Sequence, residues 1–206
     1  AFGPSFGRND GGLPPGSPSR MVTPTESASL QEPNLKGNIP DGLTPDLLRY
    51  WEVLDQVPDP EIPAISVVDL GIVTRVTVED NGAVQVILTP TFAGCPALKW
   101  MEKTVREALL EAGAPEVEVQ TTFENPWTSE RISESGREKI RNFGLAPPPR
   151  RRPGCVGPDL EALAHAVCPR CGSENTSMKS PFGPTLCRSL HYCFDCLEAF
   201  EQFKPL

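Results

Sequence analysis

The sequence predicts an α+β fold: a small α-β-β-α-β(-α) domain with a mainly antiparallel sheet, followed by a small cysteine-rich module. Three observations carry this. Stretches with the apolar spacing of an amphipathic helix alternate with stretches of two-residue period. An Asp-Asn-Gly turn (Asp80–Gly82) separates two of the alternating stretches, which is a hairpin signal. Near the C-terminus, Cys168-x-x-Cys171 and Cys193-x-x-Cys196 flank a spacer long enough for a second hairpin.

Residues 1–40 hold seven Pro and six Gly, few large apolar residues and no period. They are expected to be a disordered tail. The first domain is expected over 41–146. Thr44 is placed to cap a helix with Pro45 at its first position, and Leu47, Leu48, Trp51 and Leu54 keep helical spacing. Pro58, Pro60 and Pro63 stop it. Ile72, Thr74, Val76 and Val78 then alternate with polar neighbours, and "AVQVILTP" alternates again after the turn. In "FAGCPALKWMEKTVREALLEAGAPE" a second helix is expected, with Pro96 in its first turn and Leu98, Met101, Val105 and Leu109 as its apolar stripe. Gly113 ends it. "EVEVQTTF" is a third strand. "PWTSERISESGREKIRNFG" is expected to be a helix opening at Thr128 or Ser129, with Ile132, Ile140 and Phe143 as its apolar contacts. A Pro-, Gly- and Arg-rich linker is expected over 147–165, and the cysteine module over 166–206.

Charge is unevenly spread. Residues 41–130 carry five Lys/Arg against sixteen Asp/Glu, within a chain of net charge −8. Such an acidic domain repels nucleic acid and anionic membranes and suits a basic protein partner, or simply aids solubility. No apolar run reaches the 18 residues of a membrane span, and the N-terminus lacks a signal-peptide pattern. Seven cysteines, four of them in two Cys-x-x-Cys pairs, point to metal binding in a reducing compartment, so a cytoplasmic protein is expected. Exposed edges on so small a sheet make a homodimer plausible.

Each Cys-x-x-Cys turn aims two thiolates at one ion, and two such knuckles complete a tetrahedron. Cys168, Cys171, Cys193 and Cys196 are therefore the candidate ligands. The arrangement is that of a zinc ribbon with a structural Zn²⁺; an iron–sulfur cluster on the same four thiolates is the rival. So short a segment has little core, and its folding should depend on the metal. Cys187 and His191 lie inside the spacer, Cys187 as a spare thiol. A second constellation joins Asp59 and Glu61 of "DPEIP", Asp69 of "DLGIV" and Cys95 of "TPTFAGCP". Cys95 just ahead of a helix would gain thiolate character from the helix N-terminus, with the three carboxylates facing it. One reading is a reactive or metal-handling thiol. The other is a small buried Cys, with Asp59 and Asp69 capping turns.

Taken together, "LLRYWEVLDQVPDPEIPAISVVDLGIV", "ILTPTFAGCPA", "NPWTSERISESGREKIRNFGLAPP" and the cysteine module resemble the PaaD (PaaJ) family. These are the D subunits of the bacterial phenylacetate-CoA oxygenase, a 1,2-phenylacetyl-CoA epoxidase. The resemblance covers about residues 43–205. The first module alone resembles SufT-like iron–sulfur assembly factors, with Asp59, Glu61, Asp69, Gly71, Thr89 and Cys95 at the matching positions. The resemblance implies an accessory role in phenylacetate catabolism: maturing a metal or iron–sulfur centre of the oxygenase or its reductase, with the other oxygenase subunits, including the iron–sulfur flavin reductase, as partners. The alternatives are a general iron–sulfur cluster assembly or carrier factor and, less favoured by the acidic charge, a nucleic-acid-binding zinc ribbon. Neither a Glu-x-x-His pair for a di-iron site nor a G-x-G-x-x-G nucleotide loop stands in the sequence, so the oxygen chemistry is expected of other subunits.

Overall fold

A computed structural model describes residues 38–150 and 160–206. Nearly all of the expected tail, and 151–159 of the expected linker, lie outside the described residues. The described residues all fall within one compact unit.

Helix α1 (Pro45–Leu54) begins where the sequence places it. Thr44 Oγ1 accepts the Leu47 N–H, and Pro45 stands where no N–H is needed. Tyr50, Trp51 and Leu54 are buried. The chain then runs through the proline-rich segment into the hairpin of β1 (Val73–Val78) and β2 (Val84–Leu88), which pair antiparallel. Strand β1 departs from simple alternation. Val73 and Val76 are buried, while Thr74 and the strand-ending Val78 are exposed. The register slips between Val73 and Arg75. This bulge inserts one residue and shifts the phase of every side chain beyond it.

Helix α2 (Leu98–Glu111) buries Met101, Val105 and Leu109, and crosses from β2 to β3 (Val117–Thr121). A crossover of this kind makes the pair parallel, and β2 and β3 are parallel. The sheet is thus mixed, in the order β1-β2-β3, although among the described residues antiparallel strand pairs outnumber parallel ones. The helix also starts later than expected. Two single turns precede it, closed by Cys95 N–H to Phe92 O and Leu98 N–H to Cys95 O. Ala97, not Cys95 or Pro96, is the residue before the first helical position.

The helix expected from Thr128 is broken in two. A 3₁₀ turn covers Ser129–Arg131, Ile132 is extended and buried, and α3 (Glu134–Asn142) starts behind Ser133. Ser133 Oγ accepts the Gly136 N–H, so a true N-cap wins over a continuous helix. Ile140 is fully buried, but Phe143 is 47% exposed and is not a core contact.

The second sheet has the order β4-β7-β6-β5, from β4 (Leu145–Ala146), β5 (Thr176–Ser180), β6 (Arg188–Cys193) and β7 (Ala199–Phe203). Leu145 and Ala146 pair with β7 as part of the cysteine-rich module, and a short helix α4 (Leu160–Ala164) lies in the segment expected to be linker. The two modules share one core. Leu145, Cys187 and Phe203 belong to the same buried cluster as Leu54, Val86 and Leu109. Trp127 joins them: its indole N–H donates to Leu70 O at 2.8 Å, and its ring lies 5.7 Å from that of Phe203.

Gly71 has a φ of +66°, and a Cβ there would stand 2.5 Å from Arg131 O. Gly71→Ala should destabilise the fold by more than ~1 kcal/mol, because both backbone strain and overlap oppose it. Gly94→Ala, which meets nothing within 4 Å, is the neutral control. Urea unfolding of both variants checks this.

Candidate metal centre and thiol site

The two knuckles are built alike. In each, the residue after the second cysteine takes the left-handed conformation: Gly172 at φ +74° and Leu197 at φ +61°. Glycine adopts it freely, whereas for leucine it costs about 1–2 kcal/mol. Cys168 accepts the Gly172 N–H on its carbonyl, and Cys193 donates its own N–H to Glu198 O. Asp195, in the second knuckle, ties the two together by accepting from Ser173 Oγ and Asn175 Nδ2, each at 2.6 Å.

The four sulfurs converge. Cys168 and Cys196 Sγ lie 3.7 Å apart, Cys171 and Cys193 Sγ 3.6 Å apart, and all four fall within 4.8 Å of one another. A tetrahedron with metal–sulfur bonds of about 2.3 Å has edges of about 3.8 Å, so the set fits one four-coordinate ion. A two-iron cluster would seat the pairs on separate irons and spread the sulfurs further. The N–H groups of Cys196 and Asp195 aim at the Cys193 sulfur and hold its thiol down to about 7. His191 is not part of this set. It is fully buried, with Nε2 3.0 Å from Ser189 Oγ and its ring stacked on Phe200. Burial pushes its pKa down to about 4, so it is neutral.

The carboxylates grouped with Cys95 in the sequence divide into two places. Asp69 serves α3. Burial alone would raise its carboxyl, but Lys139, Ser133 and Ser135 donate to it and hold it below the usual aspartate range. Asp59 makes a turn: its Oδ1 accepts the N–H groups of Glu61 and Ile62 at 2.9 and 2.8 Å. Burial raises its carboxyl, opposed by those two bonds. Cys95 is half-buried in the loop ahead of α2 and feels the charges of this turn. Burial raises the Cys95 thiol; the N–H groups of Ala97 and Leu98 oppose this, and the Glu61 and Asp59 carboxylates add to it. The helix start therefore does not make Cys95 a thiolate. Thr89 is buried, with Oγ1 3.3 Å from that of Thr74, on the β1 side of the sheet.

Cys187 comes to the same place from the ribbon. Its thiol donates to Glu61 Oε2 at 3.5 Å and lies 3.1 Å from Thr185 Oγ1. Burial raises it to about 11, and Glu61 contributes. Arg188 fixes the approach: it donates to Glu61 O at 2.6 Å and pairs with Glu201 at 2.9 Å. Lys204 Nζ donates to Leu186 O and lies over the rings of both Phe92, in the Cys95 loop, and Phe182, in the ribbon. Sequence reasoning missed Arg188 and Lys204. Nothing local marks them, because their partner loop is more than a hundred residues away.

Comparison with known proteins adds to this geometry. The family description "PaaD zinc beta ribbon domain" matches residues 156–204, and "Iron-sulfur cluster assembly protein" matches residues 51–121. An Escherichia coli K12 protein, provisionally named as the D subunit of 1,2-phenylacetyl-CoA epoxidase, is 38% identical over 78% of this chain and 93% of its own. The Bacillus subtilis Fe-S protein maturation auxiliary factor YitW is 36% identical over 39% of this chain and 78% of its own. A solved DUF59 domain from Bacillus anthracis is 28% identical over 45% of this chain and 89% of its own, with a TM-score of 0.43.

Asp69→Asn should cost about 1–2 kcal/mol, since three donors lose a charged acceptor while the half-exposed Lys139 remains solvated. The Asp69 carboxyl is depressed in the folded state. Its contribution is therefore complete above the unfolded value of 3.8 and fades as pH falls through the folded value. Urea midpoints should differ between wild type and variant at neutral pH, and converge in strong acid.

Proposed function

The chain belongs to the family of 1,2-phenylacetyl-CoA epoxidase D subunits, and from that premise we propose that it is an accessory subunit of such an oxygenase in phenylacetate catabolism. Its task in this reading is to help load a metal or iron–sulfur centre of the oxygenase or of its iron–sulfur flavin reductase, within the cytoplasm. The observation that carries the reading is the half-buried Cys95 thiol beside the Asp59–Glu61 turn, in the segment that matches iron–sulfur assembly proteins.

Iron, as the ion or as a cluster, is cargo in this scheme. Cys95 is protonated at rest because burial and two carboxylates disfavour its anion. That keeps the thiol from casual oxidation, since the thiolate is the reactive form. An arriving cation displaces the proton to solvent. Glu61, next to the thiol, then balances the charge. The four ribbon cysteines hold a separate structural ion in this reading, which we assign as zinc from the match of residues 156–204 to a zinc beta ribbon, with the sulfur spacing fitting a tetrahedral ion. The acidic surface of the first module suits a basic face on a partner subunit.

The likeness to YitW favours a second reading, a general iron–sulfur assembly factor. Deleting the gene separates the two. The dedicated role confines the defect to growth on phenylacetate, whereas the general role lowers the activity of unrelated cluster enzymes as well.

With Cys95→Ser in place of the wild type, growth on phenylacetate should slow and the purified reductase should carry less than its full [2Fe–2S] content. Normal growth with a fully loaded reductase would contradict the role of Cys95. Separately, purified wild-type protein should contain one zinc per chain, and Cys193→Ser should lose most of it.

A further inference from the structure

The first sheet has a cleft on the face that does not meet the core. Val84, Val86 and Leu88 of β2 are buried, so Ile87 between them lies on the outer face. The register sets Arg75 of β1 and Gln120 of β3 on either side of Ile87. Thr74, the extra residue of the bulge, is exposed beside Arg75. Its hydroxyl donates to Ile87 O at 3.1 Å and lies 3.3 Å from that of Thr89. With Arg131 of the 3₁₀ turn, these residues line an open cleft of about 720 Å³. Small-molecule sites have volumes of roughly 300–1,000 Å³.

The backbone of Arg131 is pinned. Asn38 Nδ2 donates to its carbonyl at 2.5 Å, and Gly71 makes room for that carbonyl, which a Cβ would meet at 2.5 Å. Its guanidinium reaches Asn125 O at 3.5 Å, the outer limit of a hydrogen bond. Arg75 is exposed on its strand. Among the described residues neither guanidinium forms an ion pair. Glu124 is the one carboxylate among the described residues of the lining, and it pairs with neither. Two cations with planar donor forks thus stand unanswered at one cleft, in a module that is otherwise strongly acidic.

We propose that this cleft binds a small, polar organic anion with at least two oxyanion groups, carboxylate or phosphate, which Arg75 and Arg131 recognise. The guanidinium fork matches both groups. The Thr74 and Thr89 hydroxyls and the Asn125 side chain add uncharged partners. Val73 and Ile87 are the only purely aliphatic side chains among the described residues of the lining, so the cleft suits a polar molecule over a greasy one. A long polyanion is disfavoured. It would run onto the acidic surface beyond the cleft, where Glu118 stands one row along the same face, held by Gln85 and Gln120. A small anion meets mainly the groups that line the cleft. Once bound, it bridges β1 and the 3₁₀ turn. The site uses neither Cys95, Asp59 and Glu61 nor the ribbon cysteines, so it stands apart from the cargo role proposed above.

The test titrates the full chain in low-salt buffer with succinate as the dicarboxylate and fructose 1,6-bisphosphate as the bisphosphate. Fructose is the uncharged control. Calorimetry reads affinity, and amide NMR shifts read location. At least one of the two anions should bind at one per chain, with the largest shifts at Thr74, Arg75, Asn125 and Arg131, while fructose does nothing. Whichever anion binds tells carboxylate from phosphate, and either supports the site. Arg75→Gln and Arg131→Gln should each weaken binding at least ~10-fold, and the double variant should abolish it. Arg75→Lys should retain more affinity than Arg75→Gln.

If neither anion binds at millimolar concentration, the proposal is wrong. Equal binding by wild type and the double variant places the anion elsewhere and overturns it as well. A hexaglutamate peptide that binds more tightly than both anions, and loses that affinity in the double variant, overturns the choice of a small ligand. Urea midpoints of each variant separate loss of the site from loss of the fold. Arg75, exposed and without a partner, carries the test if Arg131→Gln proves unstable.

Discussion

Strand β6 is the constraint on which the rest of the molecule depends. Cys193, at one end, is a knuckle cysteine; Arg188 begins the other end, with Cys187 just before it. Five residue steps of extended chain span about 17 Å. At its far end, therefore, the strand that completes the four-sulfur site also grips the Asp59–Glu61 turn, through Arg188 to the Glu61 carbonyl and through the Cys187 thiol to its carboxylate. The ribbon has few apolar residues to itself: Ala146, Ala166, Cys168, Cys193 and Phe200 form its separate cluster. It is held by an ion at one end and by the first module's core at the other. Neither anchor alone resembles the core of an independent domain.

This arrangement explains why the joint can hold two thiols without being reactive. Cys95 and Cys187 both sit where burial and a carboxylate oppose ionisation. Asp59 lies at the same point, but it is occupied by two backbone N–H groups and acts as the frame of the turn. Asp69, which the sequence groups with them, is a bracket for α3 through Lys139, Ser133 and Ser135. Separating a framing carboxylate from a bracing carboxylate leaves Glu61 as the one that meets the ribbon, through the Cys187 thiol.

What the sequence made legible follows the range of the interactions involved. The Thr44 cap, the Asp-Asn-Gly turn and the two knuckles depend on residues a few positions apart, and each stands where the pattern puts it. Three local readings failed because a competing local device won. A bulge at Val73–Arg75 put Thr74 out of phase with Val76, paired turns delayed α2 past Cys95, and Ser133 capped α3 later than Thr128 would have. The parallel placement of β3 follows from the α2 crossover, which the element order contained but the alternation did not express. The contact of Cys187 with Glu61 spans 126 positions. Periodicity and spacing carry no information at that range, so Cys187 read only as a spare thiol in the hairpin.

The central claim is that the metal-held ribbon fixes the turn carrying Glu61. Amide hydrogen exchange, with the zinc-bound chain compared with chelator-treated chain, tests it most directly. The account predicts that removing the ion speeds exchange at Cys193 in β6, at Lys204, whose N–H donates to Cys187 O, and also at Glu61 and Ile62, whose N–H groups close the Asp59 turn. Amides of β2 and β3 should keep their protection. Faster exchange at Cys193 with Glu61 and Ile62 unchanged would contradict the account, because the ribbon would then be a passenger on a turn that holds itself.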